Sequence, residues 1–515
     1  MEKTENIKFI ITFSGNVFNI LLLISVFTLI MWYAQYHWKR RNLYAKASQI
    51  NGPLPLPLVG NALMFAGSNS EIIDTIMKLT TTYKSPTRIW LGPKLYIAAW
   101  KPDQLEIILN QTLEKDELYK QTEIVVGKGL FTASVPKWRR HKKLILPAFN
   151  QKILNRFVDV FYEKSEVLVE QLNTVAGKGT FDIFTYVGRC VLDIFCETTL
   201  GVTVNAQTTG SDYFKWLEKG MEIVFTKMAV VWYHYDFIFN RTLLGKEFYE
   251  AINKVLNFHI SIIKKRTLTY QQTMRKNKEK PEALVEEEQG KILLDHLIEL
   301  SKKADVDFTE EELREEINTF IIGASETTSV VESFFFIMLG MFPDIQDRVY
   351  EEVINVLGPD RPVECKDLKD FVYLERVIKE TLRVLPTNTL MARAVTKDIK
   401  LDNCTLPAGS SVIIATIVLH RDAEVWPDPL RFDPDRFLPE EIIKRHPYSW
   451  LPFSGGPRYC VGTKYAMMSM KTLLATVVRK CRFSTPYKSI ADIKIKNDLM
   501  LKPLHGFKVS VELRK

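Results

Sequence analysis

Residues 453–462 read FSGGPRYCVG, a glycine-rich loop that holds one cysteine, Cys460. A helical pattern, Thr463–Val478, begins directly after the loop. A sulfur at the start of a helix lies near the positive end of the helix dipole and near unpaired backbone N–H groups, and both favour the thiolate form. The glycines let a flat ligand approach the backbone without meeting a Cβ atom, and Arg458 offers a forked cation for a carboxylate. The loop therefore predicts that Cys460 is a thiolate ligand of a soft or redox-active metal.

A single cysteine is more often a small buried hydrophobic residue than a ligand, and we interpret the other cysteines in that way. They are Cys190, Cys196, Cys365, Cys404 and Cys481. The sequence contains no C-x-x-C pair, so neither a zinc site nor a thioredoxin-like motif is supported. Six unclustered cysteines in a chain of 515 residues are typical of a reducing compartment.

The cysteine loop follows the pattern F-x-x-G-x-R-x-C-x-G, which resembles the haem-binding loop of the cytochrome P450 family. The resemblance implies that Cys460 is the axial ligand of the iron in haem b, with a thiolate that favours O–O cleavage. It also implies that Phe453 and Arg458 help to bind the haem.

A second pattern is a long helix around Thr309–Gly340, whose apolar sequence is interrupted by GASETT, residues 323–328. A buried carboxylate beside hydroxyl groups is costly unless it is used or is satisfied by neighbouring helices, and the residues alone leave both interpretations open. The run resembles the oxygen-activation motif of the same family. That resemblance implies that Glu326 is the acid and Thr327 the alcohol of a catalytic proton relay.

Two residues of this run depart from the family pattern. Ala324 stands where glycine is usual, which narrows the expected oxygen groove. Gly323 stands where many fatty-acid ω-hydroxylases carry a glutamate that esterifies the haem. We therefore expect no covalent haem attachment through this position.

A third pattern is the pair Glu380 and Arg383, which lie three residues apart and share a helix face. Taken alone, this is a common surface pair. Together with FDPDRF, residues 432–437, it resembles the E-x-x-R and P-x-R-F elements of the family. The resemblance implies that Arg436 joins Glu380 and Arg383 in a buried structural network.

A fourth pattern is the basic run WRRHKK, residues 138–143. Trp138 and Lys142 resemble the family's W-x-x-x-R element, which implies that they bind a haem propionate, here with a lysine in place of the forked arginine. Arg393 is a further propionate candidate. Four basic residues could form a surface that attracts an acidic electron donor, and they are explained equally well as ordinary solvated surface charges. They are Arg139, Arg140, Lys143 and Lys464.

The N-terminal segment Phe9–Tyr33 contains no charged residue and would span about 37 Å as a helix, enough for a bilayer core of about 30 Å. The basic cluster Lys39–Arg41 follows it, which predicts a single-pass anchor with the rest of the chain in the cytosol. A cleaved signal peptide is the alternative, but no small-residue cleavage site follows. We expect an anchor at residues 1–36, a basic stop-transfer and proline-rich hinge at 37–61, and a haem-thiolate catalytic domain at 62–515.

The net charge of +8 is modest and gives no indication of nucleic-acid binding. The resemblance extends from Pro53 to the C-terminus, and is closest to insect branches of the fatty-acid ω-hydroxylase clan. It implies a mainly α fold with small β-sheets, the cytochrome P450 fold, preceded here by a transmembrane helix. The pocket is expected to draw on residues 124–132, 320–327, 387–390 and 499–501, most of them apolar.

The implied function is a membrane-bound monooxygenase that inserts one oxygen atom from O2 into a lipophilic substrate. Its electrons are expected from NADPH through NADPH-cytochrome P450 reductase, since the chain has no glycine-rich nucleotide fingerprint. Cytochrome b5 is a second candidate donor, and the endoplasmic reticulum membrane is the expected location. A fatty acid, a hormone-like lipid and a xenobiotic all remain open as substrates.

Two other functions remain as alternatives. A haem-thiolate isomerase or dehydratase would rearrange a peroxide without a reductase, although the presence of Glu326 and Thr327 argues against it. A non-catalytic haem or lipid binder would need neither residue.

Overall fold

The computed structural model describes residues 2–279 and 291–514, which form a mainly α-helical protein with small β-sheets, as predicted. The helices are α1 Glu2–Lys39, α2 Arg41–Ala47, α3 Asn69–Thr82, α4 Pro102–Gln111, α5 Glu123–Val126, α6 Val135–Ile145, α7 Gln151–Asn155, α8 Val158–Asn173, α9 Phe184–Thr199, α10 Ala206–Thr209, α11 Tyr213–Ala229, α12 Asp236–Phe239, α13 Leu243–Glu279, α14 Leu293–Leu300, α15 Glu310–Met341, α16 Pro343–Leu357, α17 Val372–Val384, α18 Thr416–Leu419, α19 Pro439–Ile442 and α20 Thr463–Lys480.

The strands are short and form small sheets. They are β1 Thr87–Leu91, β2 Lys94–Ala99, β3 Phe181–Asp182, β4 Leu390–Ala394, β5 Ile399–Lys400, β6 Thr405–Leu406, β7 Ser411–Ala415, β8 Cys481–Ser484, β9 Ile495–Asp498, β10 Met500–Pro503 and β11 Lys508–Leu513. The four-stranded sheet has the order β1-β2-β7-β4, in which only the β2–β7 pair is parallel. A three-stranded sheet has the order β3-β11-β8, and β5–β6 and β9–β10 form antiparallel pairs.

Helix α15 is the central helix of the body. It begins where the capping box predicts: the Thr309 hydroxyl accepts a hydrogen bond from the Glu312 backbone N–H, and the Glu312 carboxylate accepts one from the Thr309 N–H. It is apolar and long enough to cross a membrane, but most of it is buried inside the protein. It packs against α9, α20 and β8, which explains its apolar sequence as that of a core helix.

The sequence predicts short strands near residues 87–99, 394–402 and 410–418, and these predictions are only partly correct. Residues 87–99 form the β1–β2 hairpin. The segment 410–418 is a strand only as far as Ala415, where α18 takes over. The predicted strand at 394–402 is wrong for most of its length, because β4 ends at Ala394 and β5 has two residues.

The N-terminal helix α1 is exposed over most of the side chains that the structure describes. Its segment Phe18–Lys39 is apolar and long enough to cross a membrane, and none of its apolar window is buried. Contact with the body begins at α2, where Leu43 and Ala47 are buried. The Arg88 guanidinium donates hydrogen bonds to the carbonyls of Ala47 and Ile50, which fixes the end of α2 on strand β1.

Candidate functional site

The cysteine loop and the GASETT run line the same cavity, whose volume is about 890 Å³. Gly323, Ala324 and Thr327 of α15 contribute to its wall, and so do Phe453 and Cys460. The first motif immediately precedes α20 and the second lies in the middle of α15, so the packing of these two helices brings them together. The cavity is therefore the site that both sequence patterns indicate.

Cys460 lies deep in the protein, but its side chain is accessible because it faces the cavity. Its backbone N–H donates a hydrogen bond to the Phe453 carbonyl at 2.9 Å, and its own carbonyl accepts one from the Thr463 hydroxyl at 2.9 Å. Burial raises the pKa of the Cys460 thiol, while the Gly462 backbone and the Thr463 side chain lower it to a smaller extent. The start of α20 therefore does not by itself secure a thiolate. A bound metal cation would, because a coordinating thiol is deprotonated.

Cationic side chains meet in this cavity. Arg393, Arg458 and Lys115 all line it, and a backbone bridge joins Lys115 to Arg393. Burial and the nearby Arg393 lower the pKa of Arg458 to about 10. Burial and the charges of both arginines hold the pKa of Lys115 well below its ordinary value. An anion bound among these groups would relieve their mutual repulsion.

Several nitrogen atoms of the two arginines are buried and lack an acceptor. Within residues 2–279 and 291–514, the Nε and Nη1 atoms of Arg458 and the Nε atom of Arg393 have no hydrogen-bond partner. A buried guanidinium nitrogen without an acceptor is costly, and two arginines with such nitrogens line this one cavity, which suits a carboxylate-bearing ligand. A haem fits this arrangement, since it offers two carboxylates to the cations and an iron to the Cys460 sulfur.

Trp138 and Lys142, the two residues of the predicted propionate-binding element, make different contacts. The Arg458 guanidinium lies 4.6 Å from the centre of the buried Trp138 ring. The Lys142 ammonium instead donates a hydrogen bond to the Pro457 carbonyl at 2.7 Å, and Lys142 is not part of the cavity wall. The structure thus attaches Lys142 to the outside of the cysteine loop, and its role toward a propionate stays a prediction.

The predicted acid and alcohol on α15 also lie apart. The Thr327 hydroxyl donates a hydrogen bond to the Gly323 carbonyl at 2.6 Å and lies at the cavity. A Cβ atom added at Gly323 would meet nothing within 4 Å, so the cavity is open there. Glu326 is fully buried outside the cavity wall, where its carboxylate forms an ion pair with Lys502 at 2.9 Å. Burial raises the pKa of Glu326, and the Lys502 ammonium opposes this shift.

Glu380 and Arg383 form a fully buried bidentate ion pair with distances of 2.7 and 2.8 Å. The Arg436 Nε atom lies 3.6 Å from the same carboxylate. Arg383 also donates to the His420 carbonyl, and the His420 ring accepts a hydrogen bond from the Leu451 backbone N–H at 2.8 Å. Through His420, the network reaches the chain segment that leads into the cysteine loop.

Of the four residues predicted for a basic donor-binding face, Arg140 is already paired within the protein. The Arg140 guanidinium is paired with the carboxylates of Asp307 and Glu312, so it is not free for a donor protein. Arg139, Lys143 and Lys464 are exposed.

Lys115, His420 and Lys502 were missed by sequence reasoning. Lys115 lies in the charged stretch LEKDELYK, residues 113–120, which has the composition of a solvated surface. Lys502 is a lone lysine in an apolar segment, LMLKPL, residues 499–504. A charge in an apolar strand is the one local signal that could have indicated Lys502.

Comparison with known proteins agrees with this geometry. The family profile described as Cytochrome P450 matches residues 50–510. The chain is 35% identical to Cytochrome P450 4c3 of Drosophila melanogaster over 493 residues, covering 93% of this chain and 92% of that protein. It is 31% identical to Cytochrome P450 4V2 of Homo sapiens over 482 residues, covering 92% of each. The crystal structure of the cytochrome P450DA heme domain has the same fold, with a TM-score of 0.74 at 20% identity over 90% of this chain and 97% of that one.

Proposed function

This chain belongs to the cytochrome P450 family and is a haem-thiolate monooxygenase, and from that premise we propose that it oxidises a lipophilic substrate at a membrane. One oxygen atom of O2 enters the substrate, and the electrons come from NADPH through a separate reductase. The observation that carries the proposal is the shared cavity, which places the Cys460 sulfur, the Thr327 hydroxyl and the cations Arg393 and Arg458 around one space.

A haem would be held by residues from distant parts of the chain. Cys460 would supply the sulfur ligand to its iron, and Phe453 lines the same cavity. Arg393 and Arg458 would bind its carboxylates with nitrogen atoms that have no acceptor among the described residues, and the Arg458 guanidinium stacks on Trp138. When bound, the haem supplies the activation of O2, which no side chain can perform.

Residues of α15 deliver protons to the reacting centre. The Thr327 hydroxyl donates to the Gly323 carbonyl, so its oxygen remains free to accept a hydrogen bond, and passing on a proton requires its O–H to turn from that carbonyl into the cavity. The Ser325 hydroxyl bonds back to the Ile321 carbonyl in the same manner, which loosens the helix. Glu326 is the nearest carboxylic acid in sequence, and we assign it the supply of protons to Thr327.

The cavity favours an apolar substrate. Most of its wall away from the cysteine loop is apolar and comes from separate elements, which excludes water from the reacting centre. Examples are Phe320, Leu390, Met391 and Leu499. The surface of α1 and several exposed apolar residues support attachment to a membrane, from which such a substrate would enter. They include Leu54, Leu58, Leu63, Trp232 and Phe237.

We assign residues 1–36 to the anchor, 37–61 to the hinge and 62–515 to the catalytic domain, with the catalytic domain in the cytosol at the endoplasmic reticulum. Helix α2, within the hinge, is already fixed to the body by Arg88. The exposed cations Arg139, Lys143 and Lys464 are candidates to attract an acidic reductase or cytochrome b5.

The test is aerobic turnover with reductase, NADPH and isotopically heavy O2, against fatty acids, hormone-like lipids and insecticide-like compounds. One heavy oxygen atom in a product establishes monooxygenation and identifies the substrate class. Conversion of a lipid hydroperoxide by haem-loaded protein without NADPH or reductase would overturn the proposal and support an isomerase or dehydratase.

A further inference from the structure

An ion-pair cluster lies beside the cavity, and two of its members, Lys502 and Glu218, have no assigned role. The Lys502 ammonium lies 2.9 Å from a Glu326 oxygen and 2.9 Å from a Glu218 oxygen. Lys502 and Glu326 are buried, whereas the Glu218 side chain keeps 42% of its exposure. One ammonium thus serves two carboxylates, one in the interior and one at the surface.

The three residues come from three elements that each build part of the cavity. Glu326 is on α15, Lys502 is on β10 and Glu218 is on α11. On α11, Met221 and Phe225 follow Glu218 at positions i+3 and i+7, so all three lie on one helix face. Met221 and Phe225 line the cavity. A substrate that packs against this face of α11 would therefore also act on the position of Glu218.

Among the charges around Glu326, that of Lys502 favours its ionised form. The titratable groups of neighbouring elements that interact electrostatically with the carboxylate are Glu218 and Tyr213 of α11, Asp498 of β9 and Lys502 of β10. Lys502 is the cation among them. One Glu326 oxygen has no hydrogen-bond partner among the described residues, so its other oxygen and the Lys502 ammonium carry the stabilisation of the charge. Without that ammonium, a fully buried carboxylate takes up a proton.

We propose that Lys502 is a positioning residue that keeps the carboxylate of Glu326 ionised and outside the cavity. Glu218 shares the Lys502 ammonium, so the position of α11 controls how strongly Lys502 binds Glu326. The inference rests on the proposed function, because it treats Glu326 as the group that delivers protons to Thr327. An ionised carboxylate holds no proton, so Glu326 delivers one only after the Lys502 ammonium has moved away and the carboxylate has taken up a proton from solvent. We assign the timing of that step to substrate binding at α11.

The first experiment needs no turnover. Infrared difference spectra against the wild type are recorded for Lys502→Met and for the double variant Lys502→Met/Glu326→Gln. We expect Lys502→Met to gain the carbonyl band of a protonated carboxylic acid at neutral pH, and the double variant to lack it. Subtraction of the wild-type spectrum removes the contribution of Glu332, another buried carboxyl whose pKa is raised by burial. Absence of the band in Lys502→Met, or its persistence in the double variant, would overturn the assignment.

The second experiment uses haem-loaded enzyme and measures product formed per NADPH oxidised as a function of pH. We expect Lys502→Met to lower this ratio about tenfold and Lys502→Arg to restore most of it. Glu218→Gln removes a negative neighbour, which lowers the pKa of Glu326, so the acidic limb of the profile is expected to move to lower pH. Because Glu218 is half-exposed, we expect Glu218→Gln to fold, and it tests the same cluster if Lys502→Met does not fold.

Lys494→Met is the matched control. Lys494 is exposed and immediately precedes strand β9. Its replacement removes one lysine charge close to the β9–β10 hairpin and leaves the carboxylates that act on Glu326 with their partners, so we expect the wild-type ratio and pH profile. If Lys502→Arg fails to restore the ratio, or Lys494→Met lowers it equally, the positioning role is refuted. Failure of monooxygenation in every variant would refute the proposed function but leave the infrared result to decide the pairing.

Discussion

The Arg458 guanidinium stacks on the Trp138 ring at 4.6 Å, which joins the cysteine loop to helix α6. The same guanidinium donates a hydrogen bond to the Ala133 carbonyl at 2.7 Å, just before that helix. Two segments separated by more than 300 residues are thus locked together around a cation that faces the haem cavity. Arg458 is thus held by contacts within the protein itself.

Replacement of Trp138 by alanine is expected to weaken haem retention. Loss of a desolvated cation–π contact costs about 1 to 2 kcal/mol, which corresponds to about five- to thirtyfold faster haem loss. The measurement is the rate of haem transfer to an excess of an apo-globin acceptor. Trp232→Ala, which alters an exposed tryptophan, is the control. Equal transfer rates in the two variants would show that the stacking on Trp138 does not hold Arg458.

Lys115→Met is expected to release haem more readily than Lys142→Met. Lys115 lines the cavity beside Arg393, whereas Lys142 bonds to the Pro457 carbonyl outside it. A charge-assisted hydrogen bond contributes about 1.5 to 3 kcal/mol, so about tenfold to a hundredfold weaker haem binding is expected for Lys115→Met. The check is a titration of each apoprotein with haemin. A larger loss in Lys142→Met would restore the role that the sequence predicts for it.

Thr327→Ala is expected to oxidise NADPH without forming product. The hydroxyl at the cavity is removed, so protons reach the reacting centre without control, and we expect about a tenfold fall in product per NADPH with a matching rise in hydrogen peroxide. Thr327→Ser keeps the hydroxyl and serves as the control. An unchanged ratio in Thr327→Ala would remove Thr327 from the proton relay.

The stability of the protein is expected to fall in mild acid, in part because of His420. Burial, with a smaller contribution from Arg383, lowers the pKa of His420 from its ordinary 6.5 to about 3. The unfolded chain binds a proton there below pH 6.5 and the folded chain does not. The free energy of unfolding therefore falls by up to about 1.4 kcal/mol per pH unit as the pH drops from 6.5 toward 3.

His420→Gln removes this titration and keeps an acceptor for the Leu451 backbone N–H. Urea unfolding at pH values between neutrality and mild acid is expected to show a shallower slope for this variant than for His505→Gln, which alters an exposed histidine. Identical slopes would mean that His420 is protonated in the folded protein.

The patterns that sequence predicted well are contiguous. The cysteine loop precedes its helix directly, and the capping box places the start of α15 within one residue. Glu380 and Arg383, which form an ion pair in the structure, are likewise three residues apart. These features depend on spacing within a few residues, which a single sequence displays.

The contacts that sequence did not predict join distant segments. Lys502 lies 176 residues from Glu326, and no local pattern relates the two. Arg140 belongs to a basic run, but its guanidinium forms an ion pair with Glu312 on α15. Lys142 has the spacing of a propionate ligand, and its hydrogen bond to the Pro457 carbonyl, 315 residues away, was not predicted. Such pairings follow from how helices and strands pack, which is decided by the whole core.

The central claim is that the Cys460 sulfur binds the haem iron as a thiolate, and the absorption spectrum of the reduced protein with carbon monoxide tests it most directly. The account predicts the red-shifted Soret band of a thiolate complex in the wild type and in Cys365→Ser. It predicts loss of that band, with weaker haem binding, in Cys460→Ser. A thiolate band that persists in Cys460→Ser would contradict the ligand assignment and the account built on it.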